Sequence, residues 1–254
     1  MKSVAEKLRM FQRKLSLNLS SPSVAFRNFQ ISTTAATESS AGLTEQEVKQ
    51  INAVVPRLCS SNHLKEAIQL IIAAAVSTAN PPLNALPLSI LINRLALEPD
   101  LTHHMHLLNA LKFNPNTGNP FVLIPIAKMF VSSFFEKGHP KKAVKMFQWV
   151  SRPDFPGGVA NDSGFYAVLI DGFCKSGMIL DALRVFRLMA SKNLVVGNDV
   201  RMCVYRGLLR EARVREALEL NAALDYCALG SDGGAFGSKE VVDLLDRMIA
   251  SWVE

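Results

Sequence analysis

Residues 163–197 read SGFYAVLIDGFCKSGMILDALRVFRLMASKNLVVG, and two amphipathic helices meet within them at a Lys175-Ser176-Gly177 turn. In the first half, Phe165, Val168, Leu169 and Phe173 recur at helical spacing. In the second, Ala182, Leu183, Val185, Phe186 and Met189 draw an apolar stripe down one side of a helix. Gly177 stands where the chain must leave the first helix through a left-handed conformation that costs other residues more. Neither helix buries its stripe alone, so the pair requires neighbours.

The chain supplies them. A step of 35 residues carries Gly172, Lys175, Ile179, Asp181, Ala182, Leu183 and Val185 onto Gly207, Arg210, Val214, Glu216, Ala217, Leu218 and Leu220. A step of 39 residues back carries Leu169, Phe173, Gly177, Ala182, Leu183, Phe186 and Met189 onto Phe130, Phe134, Gly138, Ala143, Val144, Phe147 and Val150. The four extra residues fit the Arg152–Gly158 loop, whose prolines and glycines cannot continue a helix. Self-similarity at this period marks a solenoid of helical hairpins.

Weaker copies precede these. Val54, Val55, Cys59, Asn62, Ala67, Ile68 and Leu70 match the 124–162 unit two repeats on, and Thr44 with Glu47 reads as a capping box. Asn62 replaces glycine at the turn, asparagine being the next residue to tolerate that conformation. Between them Leu91, Ile92, Leu95 and Leu97, then Met105, Leu107, Leu108 and Leu111, form two stripes split at Glu98-Pro99-Asp100. Pro81-Pro82 and the Asn114–Pro120 segment read as linkers on either side. Ala67, Ala143, Ala182 and Ala217 each fall one turn into a second helix, where two helices cross closely and a larger side chain would open the core. His104 stands at that position in the degenerate 85–119 unit.

With 254 residues, 49% of them hydrophobic, the chain can bury a sizeable core. Cys59, Cys174, Cys203 and Cys227 have no CxxC or framework spacing and read as free thiols of a reducing compartment. No apolar run is long enough to span a membrane. The net charge of +6 is unevenly spread: residues 1–37 hold six Lys and Arg against Glu6, and 124–231 hold 15 against 10 Asp and Glu. Residues 38–123 come to −1 and 232–254 to −3.

The amino end, MKSVAEKLRMFQRKLSLNLSSPSVAFRNF, is basic, serine-rich and amphipathic over 4–17. That is the composition of an organellar transit peptide, mitochondrial in preference to chloroplast, and it contains no secretory apolar core. The Arg27-Asn28-Phe29 step resembles a plant mitochondrial processing site. Residues 1–37 are therefore expected to be a disordered transit peptide.

The run from Tyr166 through Leu169, Ile170, Asp171, Gly172, Phe173, Cys174 and Lys175 to Gly177, then Asp181, Ala182, Leu183, Phe186 and Met189, resembles a pentatricopeptide repeat. The units at 198–232 and 124–162 match that pattern moderately, those at 48–82 and 85–119 weakly. The resemblance implies an organelle-targeted, largely plant protein whose repeats each read one base of single-stranded RNA through two or three side chains. In the family the specifying residues are the fifth and last of each unit. Carried over, these are Lys128 with Asp162, Ala167 with Gly197, Met202 with Asp232, and Ser89 with Asn119. The readable pairs of the family join Asn, Thr or Ser at the first position to Asp or Asn at the last. Only Ser89 with Asn119 fits. Lys141, Lys142, Lys145, Arg206, Arg210 and Arg213 are the candidate phosphate contacts.

His103, His104 and His106 lack a third ligand at metal-site spacing and read as helix-surface histidines, and Gly233-Gly234 lacks the lysine of a phosphate loop. No catalytic constellation, cofactor site or metal site is read. The expectation is an all-α protein: a right-handed α-solenoid of about five antiparallel helical hairpins (units 48–82, 85–119, 124–162, 163–197 and 198–232), closed by a capping helix within 233–254. Its expected role is that of a non-enzymatic mitochondrial adaptor binding single-stranded RNA in processing, stability or translation. The alternative is a protein-interaction scaffold of a ribosome or RNA-processing complex.

Overall fold

A computed structural model describes residues 4, 6–10, 43–77, 83–156, 162–229 and 236–252. Every regular element among the described residues is helical. Residues 6–10 form α1, with Val4 and Leu8 buried at i, i+4. The remainder of the expected leader, including the Arg27–Phe29 step, lies outside the described residues.

The chain divides into two compact units, residues 1–123 and 124–254. In the first, α2 (Glu45–Ser60) opens on Thr44, whose hydroxyl accepts from the Glu47 backbone while the Glu47 carboxylate accepts from the Thr44 backbone, completing the capping box. The chain turns through Asn62 at φ +59 into α3 (Leu64–Val76). A 3-10 turn at Leu83–Ala85 leads to α4 (Leu88–Ala96) and α5 (Thr102–Lys112). α4 packs on α2 and α3, and α5 on α3, so the second pair buries the apolar stripe of the first. Arg94 ties the layers together, donating to the Asn62 side-chain Oδ1 at 2.6 Å and pairing with Glu98 at 2.7 Å.

His104 corrects one expectation. It is fully buried, whereas His106 is exposed. The reason is its place in the repeat: it stands where Ala67, Ala143, Ala182 and Ala217 stand, and all four of those are buried too. A site facing the crossing of two helices faces the core whatever residue fills it.

α6 (Pro120–Glu136) also differs from expectation. Pro120 is its first residue rather than the end of a linker, because Asn119 Oδ1 accepts from the Val122 amide and proline lacks only a donor that a helix start leaves unbonded. In the second unit, α7 (Pro140–Val150), α8 (Ser163–Lys175), α9 (Ile179–Ser191), α10 (Asn198–Arg210) and α11 (Val214–Leu229) follow in antiparallel succession. Gly138 and Gly177 turn the chain at φ +70 and +72. α8 packs on α9, α10 on both, and α11 on α10. The repeated glycines permit this closeness: a Cβ at Gly207 would meet Ile179 Cδ1 at 2.6 Å, and one at Gly172 would run into the Phe135 ring.

The last helix, α12, spans Phe236–Ala250. It packs against α9 and α11, the second helices of two successive hairpins. Asp246 pairs with Arg187 of α9, and the Arg213 guanidinium stacks 4.0 Å from the Trp252 ring centroid while donating to Ser251 Oγ at 2.9 Å. Val214 and Leu218 are 51% and 55% exposed, although their equivalents Ile179 and Leu183 are buried, Ile179 against Gly207 of α10.

Candidate nucleic-acid interface

The last residue of three units caps the first helix of the hairpin that follows. Asn119 Oδ1 accepts from Val122 N at 3.1 Å, and Asp162 Oδ1 accepts from Phe165 N at 2.8 Å. Gly197 holds the same cap conformation before α10 without a side chain. The expected base-facing positions therefore have a structural duty, which explains why Asp and Asn recur there: short acceptors are the strongest caps.

Lys128 and Asp162 are brought together. A Cβ built on Gly164 would lie 2.9 Å from Lys128 Nζ and 3.0 Å from Asp162 Oδ1, so an ammonium and a carboxylate both border a residue with no side chain. Together they offer donors and an acceptor of the kind that read a base edge.

The fifth-position residues lie on rows of the first helices. On α8 the row is Ala167, Asp171 and Lys175, the last two paired at 2.7 Å. On α10, which packs on α8, it is Met202, Arg206 and Arg210. Met202 and Ala167 are half-buried, and Arg206 and Arg210 are exposed. Four-residue spacing places both guanidinium groups on one side of α10 beside Met202. Cys203 Sγ lies 3.6 Å from Asp171 Oδ1, and burial pushes the Cys174 and Cys203 thiols upward, away from reactive thiolates.

The remaining candidates scatter. Lys141, Lys142 and Lys145 lie on α7, a second helix, with Lys142 over the Phe134 ring at 5.9 Å. Ser89 is exposed at the start of α4, while Asp232 lies outside the described residues. Arg213 is not a phosphate contact in waiting: Glu216 at 3.1 Å, Ser251 and the Trp252 ring occupy it. Sequence reasoning passed over Gly164, whose role appears only when Lys128 and Asp162 converge on it. It also passed over Phe113 and Phe121, 77% and 89% exposed.

Helices paired antiparallel, hairpin packed on hairpin, with a polar row along the first helices, define a helical-repeat protein. The model of the PPR repeat matches residues 161–190, the stretch spanning α8 and most of α9, so the chain carries a PPR repeat there. No curated protein matches the chain.

Proposed function

We propose that this protein is a non-enzymatic adaptor that binds single-stranded RNA along its first helices, in mitochondria in preference to chloroplasts, and serves RNA processing, stability or translation. The PPR repeat at 161–190 points to RNA as the partner. The observation that carries the reading is the convergence of Lys128 and Asp162 over Gly164, because it joins the fifth and last residues of one unit at a single point. Arg206 and Arg210 supply phosphate contacts further along the same kind of helix face. The basic, serine-rich, amphipathic amino end supports import into an organelle.

The test is equilibrium binding of labelled single strands to the chain lacking its leader, over a salt series. Affinity falls steeply with salt if phosphates are bound. Salt-independent retention of a protein, with no RNA crosslinked in isolated mitochondria, overturns the reading. A reporter fused to residues 1–40 that stays in the cytosol overturns the import.

A protein-interaction scaffold is the second reading, and one observation favours it. Val214, Leu218 and Tyr226 are 51%, 55% and 70% exposed along one side of α11, where the preceding repeat has α10 covering Ile179. Such a stripe suits a helix from a partner protein.

A further inference from the structure

The loop between α5 and α6 is built to hold two aromatic rings outward. Thr117 is fully buried, and its hydroxyl donates to the Leu111 carbonyl at 2.7 Å. Gly118 N donates to the Asn114 carbonyl at 2.7 Å, and a Cβ on Gly118 would lie 2.8 Å from that same oxygen and closer still to the Lys112 carbonyl. Asn116 Nδ2 donates to the Val76 carbonyl at 3.2 Å, fastening the loop to the end of α3, and Asn119 caps α6. Backbone this constrained costs nothing further to order when a ligand arrives.

Phe113 and Phe121, 77% and 89% exposed, flank that loop. Burying either ring elsewhere would be worth roughly 1.5–3 kcal/mol, so their display calls for an occupant. Lys112 Nζ lies 5.3 Å from the Phe113 ring centroid. No Asp or Glu occurs between Asp100 and Glu136, a stretch that carries Lys112, Lys128 and three histidines. Between the two rings stand Asn114, Pro115, Asn116, Thr117, Gly118, Asn119 and Pro120, amide-rich and without a large apolar side chain. Aromatic rings among amides and lysine, in a stretch of sequence without carboxylates, suit stacked bases on a polyanion better than an apolar protein face. Counted from the helix cap, Phe121 in α6 occupies the position of Gly164 in α8, the point on which Lys128 and Asp162 converge.

We propose that Phe113 and Phe121 are a base-stacking platform for single-stranded RNA. The platform lies outside the fifth and last positions of the repeats and is indifferent to base identity. It deepens the RNA-binding reading and rests on it.

The experiment measures binding of fluorescein-labelled oligouridylate to the chain with Phe113→Leu, Phe121→Leu and both. Leucine keeps an apolar surface and removes the π face. Each single change is expected to weaken binding by about fivefold to a hundredfold, as loss of one stacked base does. Thermal stability should be unchanged, since both rings are exposed. In Phe121→Trp the added indole emission should be quenched by oligouridylate and not by heparin, a polyanion without bases. Leucine variants that bind as the unchanged chain does, or quenching by heparin equal to that by RNA, overturn the platform and leave RNA binding standing. Failure of the unchanged chain to bind any single strand overturns the RNA reading, and the platform with it.

Discussion

Lys128 of α6 and Asp162 at the start of α8 are 34 positions apart in the chain, yet the charged ends of both reach the bare backbone of Gly164. Asp162 carries two loads there, because the oxygen that borders Gly164 is also the one that caps α8 through Phe165.

Those two loads separate by mutation. Asp162→Asn keeps a capping oxygen and is expected to leave the melting temperature close to unchanged. Asp162→Ala removes the cap and should cost about 1 kcal/mol. Thermal denaturation of the two variants checks this, and equal losses would show that the negative charge, not the cap, stabilises the site.

Arg206 and Arg210 should behave unlike Arg213. Reversal of the first two to glutamate is expected to abolish RNA binding at moderate salt, and neutralising both should lower the salt slope by about two. Arg213→Ala should instead cost roughly 1–2 kcal/mol of stability through its lost stacking on Trp252 and its hydrogen bonds to Ser251. A salt titration set beside a thermal melt distinguishes the two roles.

Ala212 turns the chain between α10 and α11 at φ +58, the place of Gly177 in the preceding hairpin. Left-handed backbone costs an alanine about 1 kcal/mol. Ala212→Gly is therefore expected to stabilise the protein by roughly 0.5–1 kcal/mol, read as a raised denaturation midpoint. No gain would mean the turn already relieves its strain elsewhere.

The attachment of α12 should be acid-sensitive. Arg187 beside Asp246 holds its carboxyl below the usual carboxylate range. A depressed folded-state pKa contributes stability above the unfolded value, about 3.9, and that stability is lost as pH falls through the lower folded value. Both side chains are close to half exposed, so the effect is modest and weakens with salt. Asp246→Asn should lower the melting temperature at neutral pH and make no difference near pH 2. Equal losses at both values would refute the assignment.

Three of the four cysteines should be silent. Burial raises Cys174 and Cys203, and pushes Cys59 up to about 11, so all three should resist iodoacetamide in the native state and react on unfolding. Rapid native labelling of Cys174 would contradict its burial between α8 and α10.

How much of this was legible in the sequence follows from how local each cause is. Helices, turns and caps depend on residues within one turn of each other. The spacing of Phe165, Leu169 and Phe173, the capping pair Thr44 and Glu47, and Gly177 at its positive φ were therefore all readable from the chain alone. So was the hairpin repeat, since Ala143, Ala182 and Ala217 recur in register and are all buried.

What tertiary structure alone decided was which equivalent positions remain equivalent. Val214 and Leu218 match Ile179 and Leu183 in type and register, but only the earlier pair is buried, with Ile179 lying against Gly207 of α10. Arg213 looked like a free cation until Trp252 was folded against it. A side chain's type is set by the sequence, but its partner is set by whichever distant segment comes to rest beside it. The approach of Lys128 and Asp162 to Gly164 is of that second kind.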